Sequence, residues 1–491
     1  MIRLALIFLL ALQTEAVQLR TPASLSSPAA SIGQTTGLPK GQLVERVVCV
    51  NNPDQSYALY LPSNYSPDRK WPILYAFDPG ARGKVPVEHF SEAAEKYGWI
   101  VVGSNTSRNG PLPQSVDAWN AMSVDTHGRF AIDPERIYVT GLSGGARAAI
   151  GIVTLCHDCA AGVIACSAGF PVGVEPASSM HFAFFGTTGF DDFNFSEMRT
   201  LDKPLQKAGI KHHIQVFDGA HEWAPAPVAT MAVEWMELQA VKAGKRNPDD
   251  GIIHRLWQRR LQQAKALEDA KKNYEAYQVY VDLADSFKGL LDVADVEKKV
   301  SQLRDSREVK DAISEEQQQI RKQDEIGRRI SELIGTRERS SAESSSSDRG
   351  NTSDDLDAET RLQGMLAELR KQAGRTEDTG DRRVARRVLD GTFIGLIEQG
   401  TYLLQTQKRY DEAARTFKLA TEVHPERARA FFYLAWAYAA KGNKKQALRA
   451  LQTAMEKGFS DLPAITGNKA FDSVREDAQY RQIIQAMQTK H

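Results

Sequence analysis

Apolar and polar positions follow two regimes along this chain. Between about residues 47 and 240 there are short, nearly unbroken apolar runs, among them Tyr57-Ala58-Leu59-Tyr60-Leu61, Trp71-Pro72-Ile73-Leu74-Tyr75-Ala76-Phe77, Ile137-Tyr138-Val139-Thr140, Phe182-Ala183-Phe184-Phe185 and Ile214-Gln215-Val216-Phe217. Runs of this length read as the strands of a sheet domain. The strand signals stop at the charged, helix-breaking stretch Lys242-Ala243-Gly244-Lys245-Arg246-Asn247-Pro248-Asp249-Asp250-Gly251. Beyond it, residues 253–333 place apolar side chains at helical spacing among Lys, Arg, Glu and Gln, and Asn273-Tyr274-Glu275-Ala276-Tyr277 reads as the opening of a second helix in a degenerate helical pair.

A longer period marks the C-terminal part. Ala413 and Ala447 are 34 residues apart, and so are Ala420 and Ala454, Phe417 and Leu451, and Ile397 and Phe431. That is the tetratricopeptide period, in which paired helices stack and small residues permit close approach. Two copies fall short of the three or so that usually stand alone, so residues 361–372 and 471–487 are expected to cap them. Between the helical regions, the Ser- and Asp-rich stretch around Ser344-Ser345-Ser346-Ser347 has nothing to bury and is expected to be a disordered linker. At 491 residues the chain exceeds what one core usually organises. The expected layout is a signal peptide over 1–16, a flexible leader over 17–44, a sheet domain over 45–243, a helical region over 250–335, a linker over 336–358 and a repeat domain over 359–491.

The chemistry concentrates at Gly141-Leu142-Ser143-Gly144-Gly145, where a β-prone run meets the helix-prone Ala146-Arg147-Ala148-Ala149-Ile150. A G-x-S-x-G corner between strand and helix exposes the serine hydroxyl, and the N–H of the next residue, Gly144, points towards a developing oxyanion. Partners follow in the order Ser, acid, His. His221 sits in Asp218-Gly219-Ala220-His221-Glu222-Trp223 at the end of an apolar run and is the expected general base. The acid is expected in the polar stretch after Phe185, where Asp192 is favoured slightly over Asp191; the sequence does not separate these neighbours.

Residues from about 47 to 240 resemble a serine hydrolase of the α/β-hydrolase fold, nearest to esterases of the polyhydroxybutyrate-depolymerase and feruloyl-esterase type. The resemblance implies a mostly parallel sheet with helices on both faces, and a Ser143, His221 and Asp192 or Asp191 triad acting on a small ester, with no cofactor. One departure stands out. The family usually carries His-Gly after the third strand, whereas this chain has Asp78-Pro79-Gly80-Ala81-Arg82-Gly83. Pro79 has no N–H to give, which leaves Gly80 or Ala81 as second oxyanion donor. Trp223 is a candidate wall of the acyl pocket and Arg82 a candidate ligand for an anionic substrate group.

Net charge is zero and no basic stripe with interleaved aromatics occurs, so nucleic acid is not an expected partner. Arg3 followed by the apolar residues 4–12 and by small residues near Ala16 reads as a cleavable export signal, too short to span a bilayer, and no later segment predicts a membrane span. Cys49, Cys156, Cys159 and Cys166 permit disulfides in an exported protein. A local Cys156 to Cys159 bridge or plain buried thiols suit them better than a metal site, and no metal is assigned. The expected whole is an exported serine esterase whose repeats bind a protein or peptide partner. A hydrolase-fold scaffold without chemistry is the alternative, and a serine peptidase the third reading.

Overall fold

The computed structural model describes residues 37–248, 250–344 and 353–489. The expected signal peptide and residues 17–36 of the expected leader lie outside these, as does 345–352 of the expected linker. The chain divides into two compact units, up to Ile320 and from Arg321 onward.

The first unit is built on an eight-stranded sheet: β1 Leu43–Cys49, β2 Asn52–Tyr60, β3 Trp71–Phe77, β4 Ile100–Ser104, β5 Ile132–Leu142, β6 Gly162–Cys166, β7 Ala183–Gly189 and β8 His212–Phe217. Their order is β1-β2-β4-β3-β5-β6-β7-β8. β2 runs antiparallel to β1 and β4, and all other pairings are parallel. This is an α/β-hydrolase sheet. Leu43 and Val44, assigned to the leader from sequence, already belong to β1, opposite Tyr60 and Leu59.

Period two along the strands sorts side chains into two cores. Ile73, Tyr75, Phe77, Val102, Val139, Val163 and Phe184 enter one, with Trp119 of α2 (Leu112–Arg129) and Ala149 and Ile150 of α3 (Gly144–Cys156). Leu74, Val101, Tyr138, Ile164 and Phe185 enter the other, with Phe90 of α1 (Lys84–Tyr97) and Val233 of α6 (Ala226–Lys242). Both faces are therefore dry, which is why these strands read as continuous apolar runs. Each such aliphatic or aromatic side chain contributes about 1.5–3 kcal/mol on burial. Between β7 and β8 lie the short helices α4 (Phe195–Thr200) and α5 (Asp202–Ala208).

α6 ends at Lys242 and the chain turns at Ala243 and Gly244, the latter at φ 70°; from Asp250 onward it packs back on the sheet domain. Helices α7 (Asp250–Asp269), α8 (Asn273–Phe287) and α9 (Ala294–Asp305), with Val309 at the start of α10 (Arg307–Ser344), share one core with Leu238 of α6. Polar ties join them: the buried Asp282 of α8 accepts from Arg260 at 2.8 Å and meets His213 of β8 at 3.2 Å, and Arg199 pairs with Glu316 at 2.8 Å. The expected separate helical region is thus divided otherwise: its residues up to 320 belong with the sheet and 321–335 with the repeats.

The second unit contains the remainder of α10, then α11 (Ser353–Ala373), α12 (Gly380–Thr401), a π-helical turn Tyr402–Thr406, α13 (Tyr410–Val423), α14 (Ala428–Ala440), α15 (Lys444–Glu456), α16 (Leu462–Thr466) and α17 (Ala478–Thr489). Every described residue of the expected linker is helical, 336–344 in α10 and 353–358 in α11, which narrows that expectation to residues outside the described ones. The 34-residue pairs Ala413/Ala447, Ala420/Ala454 and Phe417/Leu451 are all buried where successive helices meet. Leu362, Leu366 and Leu369 of α11 cap one end of this core, and Phe471, Tyr480, Ile483 and Met487 the other.

Candidate active site

The corner after β5 is made by steric exclusion. A methyl group on Gly141 would come within 2.2 Å of the Gly145 backbone, and one on Gly145 within 2.0 Å of the Phe77 carbonyl oxygen. Strand and helix therefore touch backbone to backbone, which any larger residue prevents. Ser143 between them has φ 56° and ψ −121°, a positive-φ conformation sparsely populated by L-residues that costs about 1–3 kcal/mol. Its N–H donates to the Cys166 carbonyl at 2.9 Å, and its carbonyl accepts from Ala146 and Arg147. The Gly144 N–H, first in α3, belongs to the turn whose donors have no intrahelical acceptor.

His221, in the loop after β8, meets Asp192, in the loop after β7, with Nδ1 and Oδ1 2.8 Å apart. Asp192 is fully buried; its Oδ1 also accepts from the Asn194 N–H at 2.8 Å, and its Oδ2 from the Thr188 hydroxyl at 3.2 Å. An ionised carboxylate only accepts, so Nδ1 carries the proton in this contact and Nε2 is left as acceptor. Phe193 stacks on the imidazole with centroids 3.9 Å apart. Asp191 is not the partner of His221; its N–H donates to the Gly219 carbonyl. Ser143, Asp192 and His221 thus follow the C-terminal ends of β5, β7 and β8, the side on which parallel sheets present their ligands. The other histidines considered from sequence have different partners: His212 lies against Asp202, His213 against Asp282 and His181 against Asp158, while the His157 Nδ1 meets the Leu155 carbonyl.

The loop after β3 departs from expectation. The Gly80 N–H donates to Asp78 Oδ1 at 2.8 Å and the Ala81 N–H to the Asp78 carbonyl at 3.1 Å, so both expected oxyanion donors are already engaged. Arg82 does not wait for an anionic substrate: its Nε and second guanidinium nitrogen grip the two carboxylate oxygens of Asp78 at 2.8 and 3.0 Å. Nor is Trp223 an open pocket wall, because it is buried edge-on to Phe90 and its indole N–H donates to Asp78 Oδ2 at 2.9 Å. Burial raises the Asp78 pKa, but donation from Arg82, Trp223 and Gly80 outweighs this and holds the carboxyl below its ordinary value. Asp78 is the residue that sequence reasoning missed. Its only signal was its place where the resembled family has histidine.

Behind Ser143, the Arg147 guanidinium makes a two-pronged pair with Glu197 at 2.9 and 2.7 Å and donates to the Phe170 carbonyl, fixing α4 against α3. Cys156 and Cys159 form a disulfide at the far end of α3, with Cα atoms 5.7 Å apart, while Cys49 and Cys166 are buried thiols. Among the described residues, no helix is long and apolar enough to cross a membrane.

A tetratricopeptide-repeat family model matches residues 404–467. The chain joins an α/β-hydrolase fold to a tetratricopeptide-repeat region. Among solved structures it is similar to a thermostable esterase, at 18% identity and a TM-score of 0.32, covering 39% of this chain and 61% of that one. It is also similar to an S-formylglutathione hydrolase from Staphylococcus aureus, at 13% identity and a TM-score of 0.33, covering 40% and 98%. A third is Thermogutta terrifontis esterase 2 phosphorylated by paraoxon, at 18% identity and a TM-score of 0.32, covering 42% and 96%. No curated protein sequence matches the chain.

Proposed function

We propose that this protein is an exported serine hydrolase of carboxylic esters, with the repeat region as a protein- or peptide-binding module. The observation that carries the reading is the 2.8 Å contact between His221 and the buried Asp192 in the strand-end loops that follow the Ser143 corner. In this mechanism the Ser143 oxygen attacks the ester carbonyl while His221 Nε2 takes its proton. His221 then returns that proton to the departing alcohol, and water repeats the sequence on the acyl-enzyme. Asp192 holds the imidazole in the required tautomer and stabilises it once charged.

The acid is tested by exchanging each aspartate for asparagine. Asp192→Asn lowers kcat on p-nitrophenyl acetate by about four orders of magnitude, as expected when the imidazole loses its orienting carboxylate. Asp191→Asn stays within a few-fold of the parent. Equal losses in the two variants refute Asp192 as the acid.

The scaffold reading draws on one observation, the engagement of the Gly80 and Ala81 N–H groups with Asp78. Export rests on the sequence of residues 1–16 and places the mature N-terminus near Val17. N-terminal sequencing of protein recovered from its native host decides this; an intact Met1 on cytoplasmic material defeats it.

A further inference from the structure

The hydrolase reading requires donors for the charge that forms on the substrate oxygen, and the loop after β3 supplies neither of those expected from it. A different loop reaches the same place. Residues 105–110, after β4, run beside the Pro79-Gly80 segment: the Asn109 N–H donates to the Pro79 carbonyl at 2.9 Å, and Arg108 forms an antiparallel bridge with Gly80. The loop is braced from below as well. The Ser107 N–H donates to Ser104 Oγ at 2.9 Å, and the Ser107 and Ser115 hydroxyls are 2.9 Å apart.

This bracing sets the Asn109 side chain over Gly144. A Cβ built on Gly144 would stand 2.0 Å from Asn109 Oδ1 and 3.2 Å from Nδ2, so the amide fills the space that a side chain at position 144 would occupy. Asn109 is nevertheless an exposed residue, open to an incoming ligand. A half-turn of its planar end exchanges oxygen and nitrogen without changing its shape, which presents an N–H donor at the same spot.

We propose that Asn109 is a catalytic residue, its side-chain amide serving as the second oxyanion donor beside the Gly144 N–H. The inference rests on the hydrolase reading and deepens it. As the Ser143 oxygen bonds to the carbonyl carbon, the carbonyl π pair moves onto oxygen and the serine proton passes to His221 Nε2. The alkoxide is held by the Gly144 N–H and by Asn109 Nδ2. On collapse the π bond re-forms, the ester C–O bond breaks, and the alcohol leaves with the proton from His221. The backbone bond to Pro79 holds Asn109 beside Gly144 before the charge appears, which limits the reorganisation to the amide end of the side chain.

The test measures kcat and KM for p-nitrophenyl acetate with the full chain and with its Asn109→Ala, Asn109→Asp and Ser143→Ala variants, each checked for an unchanged melting temperature. Loss of one side-chain oxyanion donor costs about 10²–10³ in kcat. Asn109→Ala is expected to lose that much with KM changed by less than about threefold, since the contact strengthens only as charge develops. Asn109→Asp keeps the volume, replaces the donor by an acceptor, and is expected to lose at least as much. The backbone bond to Pro79 survives both substitutions, so a merely structural role for the loop leaves kcat unmoved. If both Asn109 variants keep kcat within about threefold of the parent while Ser143→Ala is inactive, Asn109 is not a donor and the hydrolase reading stands. A rise in KM alone makes Asn109 a ground-state contact and likewise overturns the proposal. Parental turnover by Ser143→Ala overturns the hydrolase reading, and this inference with it.

Discussion

Replacing Ser143 with alanine is expected to reduce turnover of short p-nitrophenyl esters by roughly five to six orders of magnitude and to abolish labelling by a fluorophosphonate. The size follows from how the residues act together. Without the serine oxygen, His221 has no proton to take and Asp192 no developing charge to balance, so the whole covalent route closes rather than one increment of it. Any residual rate would come from donors at the oxyanion and from substrate positioning. The fold should survive, because the Ser143 backbone makes the bonds to Cys166, Ala146 and Arg147 and none of them needs the hydroxyl. Parental turnover in a folded Ser143→Ala protein rules out this serine as nucleophile and favours the scaffold reading.

A chain ending at Lys245 is expected to melt well below one ending at Ile320. The turn at Gly244 invites the cut, yet what lies beyond it covers Leu238 and Val241 of α6 and Tyr97 of α1. Removal also takes Arg246 from the buried Glu237, Arg259 from Glu234 and Asp282 from His213. Re-exposing one large apolar side chain costs about 1.5–3 kcal/mol, and several are uncovered; Glu237 and Glu234 are left with their longer ion pairs, to Arg136 at 3.7 Å and Lys96 at 3.4 Å. A combined loss on the order of 5 kcal/mol or more lowers Tm by roughly 10–20 °C at this size. Differential scanning calorimetry of the two chains measures it. Equal melting temperatures would mean that residues 250–320 ride on the sheet domain without supporting it.

These two cases show which features a sequence exposes. Strands β3 and β5 were legible because covering both faces of a parallel sheet makes every position apolar, whichever way it points. The strand-to-helix corner at Ser143 was legible because two glycines and a serine at fixed spacing answer to local sterics alone. The repeats were legible because close helix contact demands a small residue every 34 positions, as at Ala413 and Ala447. Choices that depend on how a loop closes, or on what it meets elsewhere in the fold, were not legible. Asp191 and Asp192 differ only in which way the loop turns them, and that is set by the Asn194 N–H and the Thr188 hydroxyl closing on Asp192. Gly186-Thr187-Thr188-Gly189 read as loop because glycine and threonine suit turns, yet β7 continues through all four. The engagement of Gly80 rests on the Asp78 carboxylate folding back, steadied by Trp223, 145 residues further on. Gly244 says that the chain bends there; it says nothing about what the next helix packs against.

The steric crossing at the Ser143 corner separates what architecture requires from what it merely tolerates. Gly141 and Gly145 are demanded by packing, since a single methyl at either collides with backbone. A lineage that had abandoned catalysis would have to keep both merely to stay folded. Ser143 answers to no such demand: its conformation penalises any side chain, and a glycine there would relieve about 1–3 kcal/mol of strain. In an idle scaffold, mutation is therefore free to drift from serine to the more comfortable residue, and nothing in the fold pulls it back. A serine held at φ 56° between two compulsory glycines is thus a cost to stability that packing alone does not require.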